Sequence, residues 1–330
     1  MPLIGIMTSG VSALKAFSKG MEVIGDNIAN VNTTAFKTSR AQYADNFGNI
    51  LQRSASSPSD GDGSNVITMQ VGEGVHVSSI KADFRQGSIN TTGQPADFGI
   101  SGNGFFRVRD VLGQKDYATR AGDFRIDDQG YLVTTGGLRV QGLSDGVGNM
   151  EATVVDGKLA YALTSTTAPS TVGDLRVNTG ITIADGTMTN NTGGAFTDAE
   201  VEAGAPKIMG FGVNSAGDMV LQLTNGEAFT RGQMLLQNYQ DVNALTREAG
   251  NLFSGLQTAN PIGGLALTAA SNTPGLSGNG QVQQGVLELA NVDLTEEFSQ
   301  LIATQRSFQA GSRVITTADS ILEEIVNLKR

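Results

Sequence analysis

The chain has no cysteine, no tryptophan and a single histidine, and only 16 % of its 330 residues are charged. Without cysteine there is no disulfide framework, thiolate nucleophile, iron–sulfur cluster or cysteine zinc site. His76 alone cannot build a multi-histidine metal site, and a Ser-His-Asp triad would have to pass through it. Lysine and arginine total 22 against 32 acidic residues, a formal charge of −10. Phosphate neutralisation needs a basic face, and nothing denser than Arg107/Arg109 offers one, so nucleic acid is excluded as a partner. No run approaches the ~20 apolar residues of a membrane span, so no membrane partner is expected. The first residues, Met1-Pro2-Leu3-Ile4-Gly5-Ile6-Met7, lack a basic segment of the secretory kind. The expectation is a chain that is cytosolic, or exported without a cleaved signal.

What is abundant is glycine, with 43 residues, about 13 % against a usual ~7 %. With 39 % apolar residues the chain folds in the main, and its length exceeds what one core usually serves.

Both ends carry a seven-residue period. Met7, Leu14, Met21 and Ile28 recur at spacing seven, each followed three residues later by Gly10, Phe17, Ile24 and Val31. Leu294, Leu301, Phe308, Ile315 and Leu322 hold one position over five heptads, with Glu297, Thr304, Gly311, Ala318 and Ile325 three residues on. This is the a/d pattern of a coiled-coil seam, large at a and often small at d in the second stripe. Asp293 is placed to cap the second helix, with Glu296 at its third position and Lys329 and Arg330 at its negative end. From Leu294 to Lys329 it would run about 54 Å at ~1.5 Å per residue. Gly10, Gly20 and Gly25 weaken the first helix by up to ~1 kcal/mol each, so it needs a partner. The two ends are expected to pair into a stalk.

The interior reads as β-structure. Short alternating runs at Val75-His76-Val77, Phe105 to Val108, Phe124 to Ile126 and Tyr131 to Val133 are divided by turn residues, and Met219 to Leu223 precedes Thr224-Asn225-Gly226, a hairpin signal. The fold class expected is therefore α+β, mainly β, with nested β domains on a coiled-coil-like stalk of paired N- and C-terminal helices. The boundaries expected are 1–45 and 285–330 for the helices, 46–70 for a polar linker, 71–145 and 208–284 for the main β domain, and 146–207 for a small inserted β domain.

No constellation offers catalysis or a cofactor site, so no enzyme activity and no cofactor are expected. Asp60-Gly61-Asp62-Gly63 lacks the glycine and glutamate of a calcium loop at its sixth and twelfth positions. Gly99 to Gly104 lacks the order and following helix of a phosphate loop and reads as a turn between strands. Asp127 and Asp128 read as turn residues and His76 as a rim residue.

Gly25-Asp26-Asn27-Ile28-Ala29-Asn30-Val31-Asn32-Thr33-Thr34-Ala35-Phe36-Lys37 resembles the N-terminal signature of bacterial flagellar rod, hook and hook-associated axial proteins, whose usual form has Asn at Asp26 and often Gly at Ala35. Gln86 to Gly93, Gly102-Asn103-Gly104-Phe105-Phe106 and Tyr117 to Phe124 are similar to the family's β-domain motifs, and Asn291 to Phe298 with Gln305 to Ala310 to its C-terminal helix. Within the family, hook subunits are the most similar and a distal rod or other rod subunit is the alternative; a β-rich surface adhesin is more remote, because tryptophan is absent and the other aromatics are scattered.

The resemblance implies type III export, an extracellular location in the flagellar hook or basal body, and self-assembly into a helical homopolymer that couples rod to filament. Its partners would be the distal rod, hook cap and hook–filament junction proteins, and its paired helices would line a central channel. The helix-pairing residues expected are Met7, Leu14, Phe17, Met21, Ile24, Ile28, Leu294, Leu301, Phe308, Ile315 and Leu322. Of the signature residues Asn27, Ile28, Asn30, Asn32, Thr33 and Lys37, Asn30 is the expected helix cap.

Overall fold

A computed structural model describes residues 2–54, 67–144, 147–155, 158–177, 188–190, 208–224 and 226–328. The fold is α+β and mainly β, with a long helix at each end. The chain divides into two compact units.

The first unit comprises residues 1–31, 37–84 and 292–330. It contains helix α1 (Pro2–Ala29), strands β1 (Ser39–Asp45), β2 (Asn49–Gln52), β3 (Met69–Val71) and β4 (Val75–Ala82), and helix α2 (Leu294–Leu328). α2 starts where the sequence puts its cap: Asp293 Oδ1 accepts from the N–H groups of Thr295 at 2.8 Å and Glu296 at 3.3 Å. Its 35 residues follow the expected length, while Lys329 and Arg330 lie outside the described residues.

β1 and β4 pair antiparallel from Ser39↔Ala82 to Asp45↔Val75, with a register shift after Gln42. Three boundaries therefore move, one of them because 285–291, with the strand Val286–Glu288, belong to the second unit rather than to the helices. Residues 39–45 are strand rather than helix, and 71–84 group with the helices rather than with the main β domain. The 46–70 segment is not wholly a linker either, because β2 pairs with β3 at its two ends. Strands of three or four residues are too short to show alternation beside so polar a stretch. The Asp60–Gly63 segment lies outside the described residues.

The second unit comprises residues 32–36 and 85–291. Its largest element, among the described residues, is a twelve-stranded sheet whose path runs through 208–213, 218–223, 228–234, 139–143, 105–109, 116–119, 252–254 and 246–247. The predicted runs at 105–108, 124–126, 131–133 and 219–223 all fall in or beside its strands. Their apolar faces converge on one core that includes Phe98, Ile100, Phe106, Phe124, Leu132, Met219 and Leu221. Phe106 meets Phe124 edge to face at 5.2 Å between ring centroids.

The 146–207 segment is not a separate domain throughout. Val147–Val155 and Lys158–Thr167 form a hairpin joined by Met188–Asn190, but Val172–Asp174 pairs with 139–143. Leu175 and Val177 are then fully buried in the main core. The chain returns to the central sheet before leaving it again. Residues 178–187 and 191–207 lie outside the described set.

Candidate functional site

The two helices of the first unit pair antiparallel, and the contacts fix their register. Gly10 lies against Ile315 and Gly311 against Leu14, while Gly20 faces Thr304. Asn27 Nδ2 reaches Glu297 Oε1 at 3.2 Å. Ile315 meets Gly10 and Leu14 meets Gly311, a large side chain of one helix against a glycine of the other. A side-chain carbon on Gly10 would lie 3.0 Å from Ile315 Cγ1, and one on Gly311 3.4 Å from Leu14 Cδ2. Of the small d positions of the second stripe, Gly311 thus receives a large side chain, Leu14.

Ile24 is buried, and Met7, Leu14, Phe17, Met21, Ile28, Leu301, Phe308, Ile315 and Leu322 are half-buried. Leu294, 40 % exposed, departs from the expected stripe. It occupies the first position of α2, ahead of the turn whose Glu297 meets Asn27.

α1 also has a second packed face that the heptad reading missed. Ala16, Gly20, Val23 and Asn27 are buried at spacings of four, three and four. Phe17 meets Tyr43 of β1 edge to face at 5.9 Å. A side-chain carbon on Gly20 would fall 2.0 Å from the Tyr43 hydroxyl. Ser12 Oγ accepts from the Val75 N–H at 3.2 Å. Small residues on this face carry little hydrophobic signal, which is why periodicity alone did not find it.

Asn27 joins three elements. Its Nδ2 donates to Ser39 O at 2.8 Å and to Glu297, while its Oδ1 accepts from the Ser39 N–H at 2.9 Å. Glu297 is buried, and its Oε2 has no hydrogen-bond partner. Burial pushes its carboxyl above the ordinary range; Asn27 opposes that shift, neighbouring Glu296 adds to it and Arg40 opposes it.

The remaining signature residues end α1 and anchor the segment after it. Asn30 is the cap, through its side chain rather than a left-handed backbone: Nδ2 donates at 2.9 Å to both Asp26 O and Asp26 Oδ1. Asp26, where the resembled signature has Asn, therefore serves as acceptor. Lys37 is buried and Asn32 exposed. In the second unit, Thr33 O accepts from the Phe36 N–H at 3.2 Å. Ala35 stands at φ 55, in the left-handed region that favours glycine, and this explains why glycine is common there. Phe36 is fully buried beneath the Arg247 guanidinium, 4.2 Å from its ring centroid.

The second unit brings its motifs together around one ion pair that sequence did not reveal. Arg120 Nε donates to Glu288 Oε2 at 3.0 Å, with both side chains almost wholly buried. Its other nitrogens donate to Gly104 O at 2.8 Å and Gly102 O at 2.9 Å. Glu288 Oε1 accepts from the Gly87 N–H at 2.8 Å, and Gln86 Oε1 from the Gly102 N–H at 2.9 Å. The glycine-rich 99–104 segment is only in part the expected turn: Gly99 to Ser101 lie in a strand, Phe98–Ser101, that pairs with Gln281–Gln284, and Gly102 to Gly104 form the connection whose carbonyls cradle a guanidinium. Arg107 and Arg109, the densest basic pair, are both engaged by Asp116. Asp127 Oδ1 accepts from the Gln129 and Tyr131 N–H groups as a turn residue does. His76 is exposed beside Asn46.

Three family models match: "Flagella basal body rod protein" over residues 7–37, "Flagellar hook protein FlgE/F/G D1 domain" over 99–192, and "Flagellar basal body rod FlgEFG protein C-terminal" over 283–328. The flagellar basal-body rod protein FlgG of Bacillus subtilis (strain 168) is 30 % identical over 322 residues, covering 98 % of each chain. The flagellar hook protein FlgE of Escherichia coli (strain K12) is 27 % identical over 428 residues, covering 98 % of this chain and 99 % of that one. That of Borreliella burgdorferi is 27 % identical over 454 residues, covering 97 % and 98 %. With its signature at the end of α1, its capped C-terminal helix and relatives aligned along nearly its whole length, the chain belongs to the family of bacterial flagellar rod and hook proteins.

Proposed function

We propose that this chain is a structural subunit, not an enzyme, that polymerises into the flagellar hook, a flexible curved tube linking rod to filament. The observation that carries this reading is the incompleteness of the helix pair. In α2, only Glu297, Gly311 and Ala318 of 35 residues are buried, while Phe298, Ile302, Val314, Ile321 and Ile325 are each at least 42 % exposed. A helix so little covered gains most of its order from packing, and a tube of identical copies supplies that packing through contacts that do not close on themselves. The seam residues from Met7 to Ile28 and from Leu301 to Leu322 then act in assembly, with the paired helices lining the channel. Family membership further supports type III export, a place in the extracellular part of the flagellum, and end-on contacts with distal rod, hook cap and junction proteins.

A distal rod subunit is the second reading. The Bacillus rod relative aligns over 322 residues, whereas the hook relatives need 428 to 454 positions against the 330 of this chain. Electron microscopy of concentrated protein decides between them. The hook reading expects hollow tubes that bend, the rod reading straight stiff ones, and protein that stays monomeric overturns both.

A further inference from the structure

We propose that the Gln284 side chain is an autoinhibitory plug on one edge of the twelve-stranded sheet, and that it stops this edge from pairing, strand against strand, with the same edge of a second copy.

Ile208–Val213 stands at one end of the sheet's path and pairs with Asp218–Leu223. The hydrogen bonds of that pair fix which backbone groups are left over. The Asn214 N–H donates to Asp218 O at 3.1 Å, and in an antiparallel ladder bonded positions alternate with outward-facing ones. From Gly210↔Gln222 to Val213↔Met219 the register is unbroken, so Gly210 and Gly212 turn their backbone groups inward while Phe211 and Val213 turn theirs away from the sheet. A row of such groups is a template for another chain.

Gln284 occupies one end of the row. Its Oε1 accepts from the Val213 N–H at 2.9 Å, and its Nε2 donates to Pro95 O at 2.7 Å. The backbone behind it is held as well: Gln281–Gln284 pairs with Phe98–Ser101, and the Val282 N–H donates to Ser215 O at 3.3 Å. At the other end Met209 is the extra residue of a bulge, where the register steps from Ile208↔Leu223 to Gly210↔Gln222, and a bulge breaks the regular row. Phe211 is left between them, its outward N–H without a partner among the described residues. One free position between a bulge and a plug is too short to hold a strand; removing the plug joins Val213 to it. The far edge of the sheet, Thr246–Arg247, is two residues long.

The occupant follows from the symmetry of the edge. Antiparallel pairing about Phe211 sets Phe211 against its counterpart and Val213 against Met209 of the second copy, so one edge serves both sides. Such a contact closes on itself as a pair and withdraws copies from any open-ended assembly. The inference concerns single chains in solution and holds for a hook or a rod subunit alike.

Light scattering on size-exclusion fractions, at concentrations below those that give tubes, tests it. Gln284→Ala is expected to dimerise at an about tenfold lower concentration than the wild type, the effect of one or two added backbone hydrogen bonds. Adding Met209→Lys puts a charge on the edge, at a side chain 73 % exposed, and is expected to restore the monomer. Gln284→Ala protein that stays monomeric, or dimers that survive Met209→Lys, overturn the inference. Circular dichroism confirms that the variants fold. Amide exchange on the wild type needs no substitution: the Val213 amide is expected to exchange about tenfold more slowly than that of Phe211, and equal rates overturn the plug.

Discussion

The two units hold themselves together by different means. The second buries Phe36, Phe98, Phe106, Leu132, Leu175, Met219, Leu221 and Leu223 almost completely, and it locks its motifs around an ion pair withdrawn from water. The first relies on glycine sockets, half-buried seams and a three-way clasp at Asn27. One has a closed hydrophobic core of its own; the other leaves much of its apolar helix surface uncovered in a single copy. A subunit that must be built into a tube benefits from that division, because the unit with the closed core supplies stability while the uncovered helices supply drive to assemble.

The contrast is broken most severely from within the second unit. Arg120→Ala or Glu288→Ala strands a buried charge and is expected to cost about 3–5 kcal/mol, read as an earlier denaturation midpoint. Phe308→Ala or Leu301→Ala is expected to leave that midpoint in place and to abolish tubes, scored by microscopy. In the monomer, amide protection over 10–28 and 300–325 is expected to fall well below that of the sheet. Strong protection there before assembly would show that the first unit is complete after all.

A smaller effect separates two glycines of the same unit. Gly20→Ala meets the Tyr43 hydroxyl and is expected to destabilise by about 1–3 kcal/mol. Gly311→Ala meets only ordinary contact with Leu14 and is expected to stabilise α2 by up to ~1 kcal/mol, both followed by the helical signal on heating.

The smallest effect is that of pH. Burial raises the carboxyl of Glu297, so its proton is held more tightly folded than unfolded. The ionised form therefore weakens the first unit at neutral pH. Stability is expected to rise as pH falls through the raised value and to level off below the ordinary glutamate range. Glu297→Gln is expected to remove that dependence, and a wild-type unit that weakens monotonically from pH 7 to 5 contradicts it.

Much of this was legible in the chain itself, and the rest was not for physical reasons. The seams of α1 and α2, the Asp293 cap and the turn at Asp127 depend on residues three to seven apart, and local spacing records them. The partnership of Arg120 with Glu288 joins positions 168 residues apart, and no local pattern marks it. The face of Ala16, Gly20, Val23 and Asn27 escapes because small side chains give a periodicity search little to weigh. The return of Val172 to Val177 into the main sheet is only six residues long, and its Thr/Gly-rich surroundings read as one continuous insertion. The pairing of β2 with β3 was hidden in the same way by the polar stretch between them.

The clasp of Asn27 on Glu297 spans 270 residues of sequence, and this sets a clock on folding. At about 5–20 residues per second of synthesis, α1 waits roughly 15 to 55 seconds for its partner to exist. Closing so long a loop then adds its own entropic delay. Throughout that interval the weak, glycine-bearing helix has nothing to pair with, so the chain that leaves the ribosome keeps its leading end open until its last residues are made.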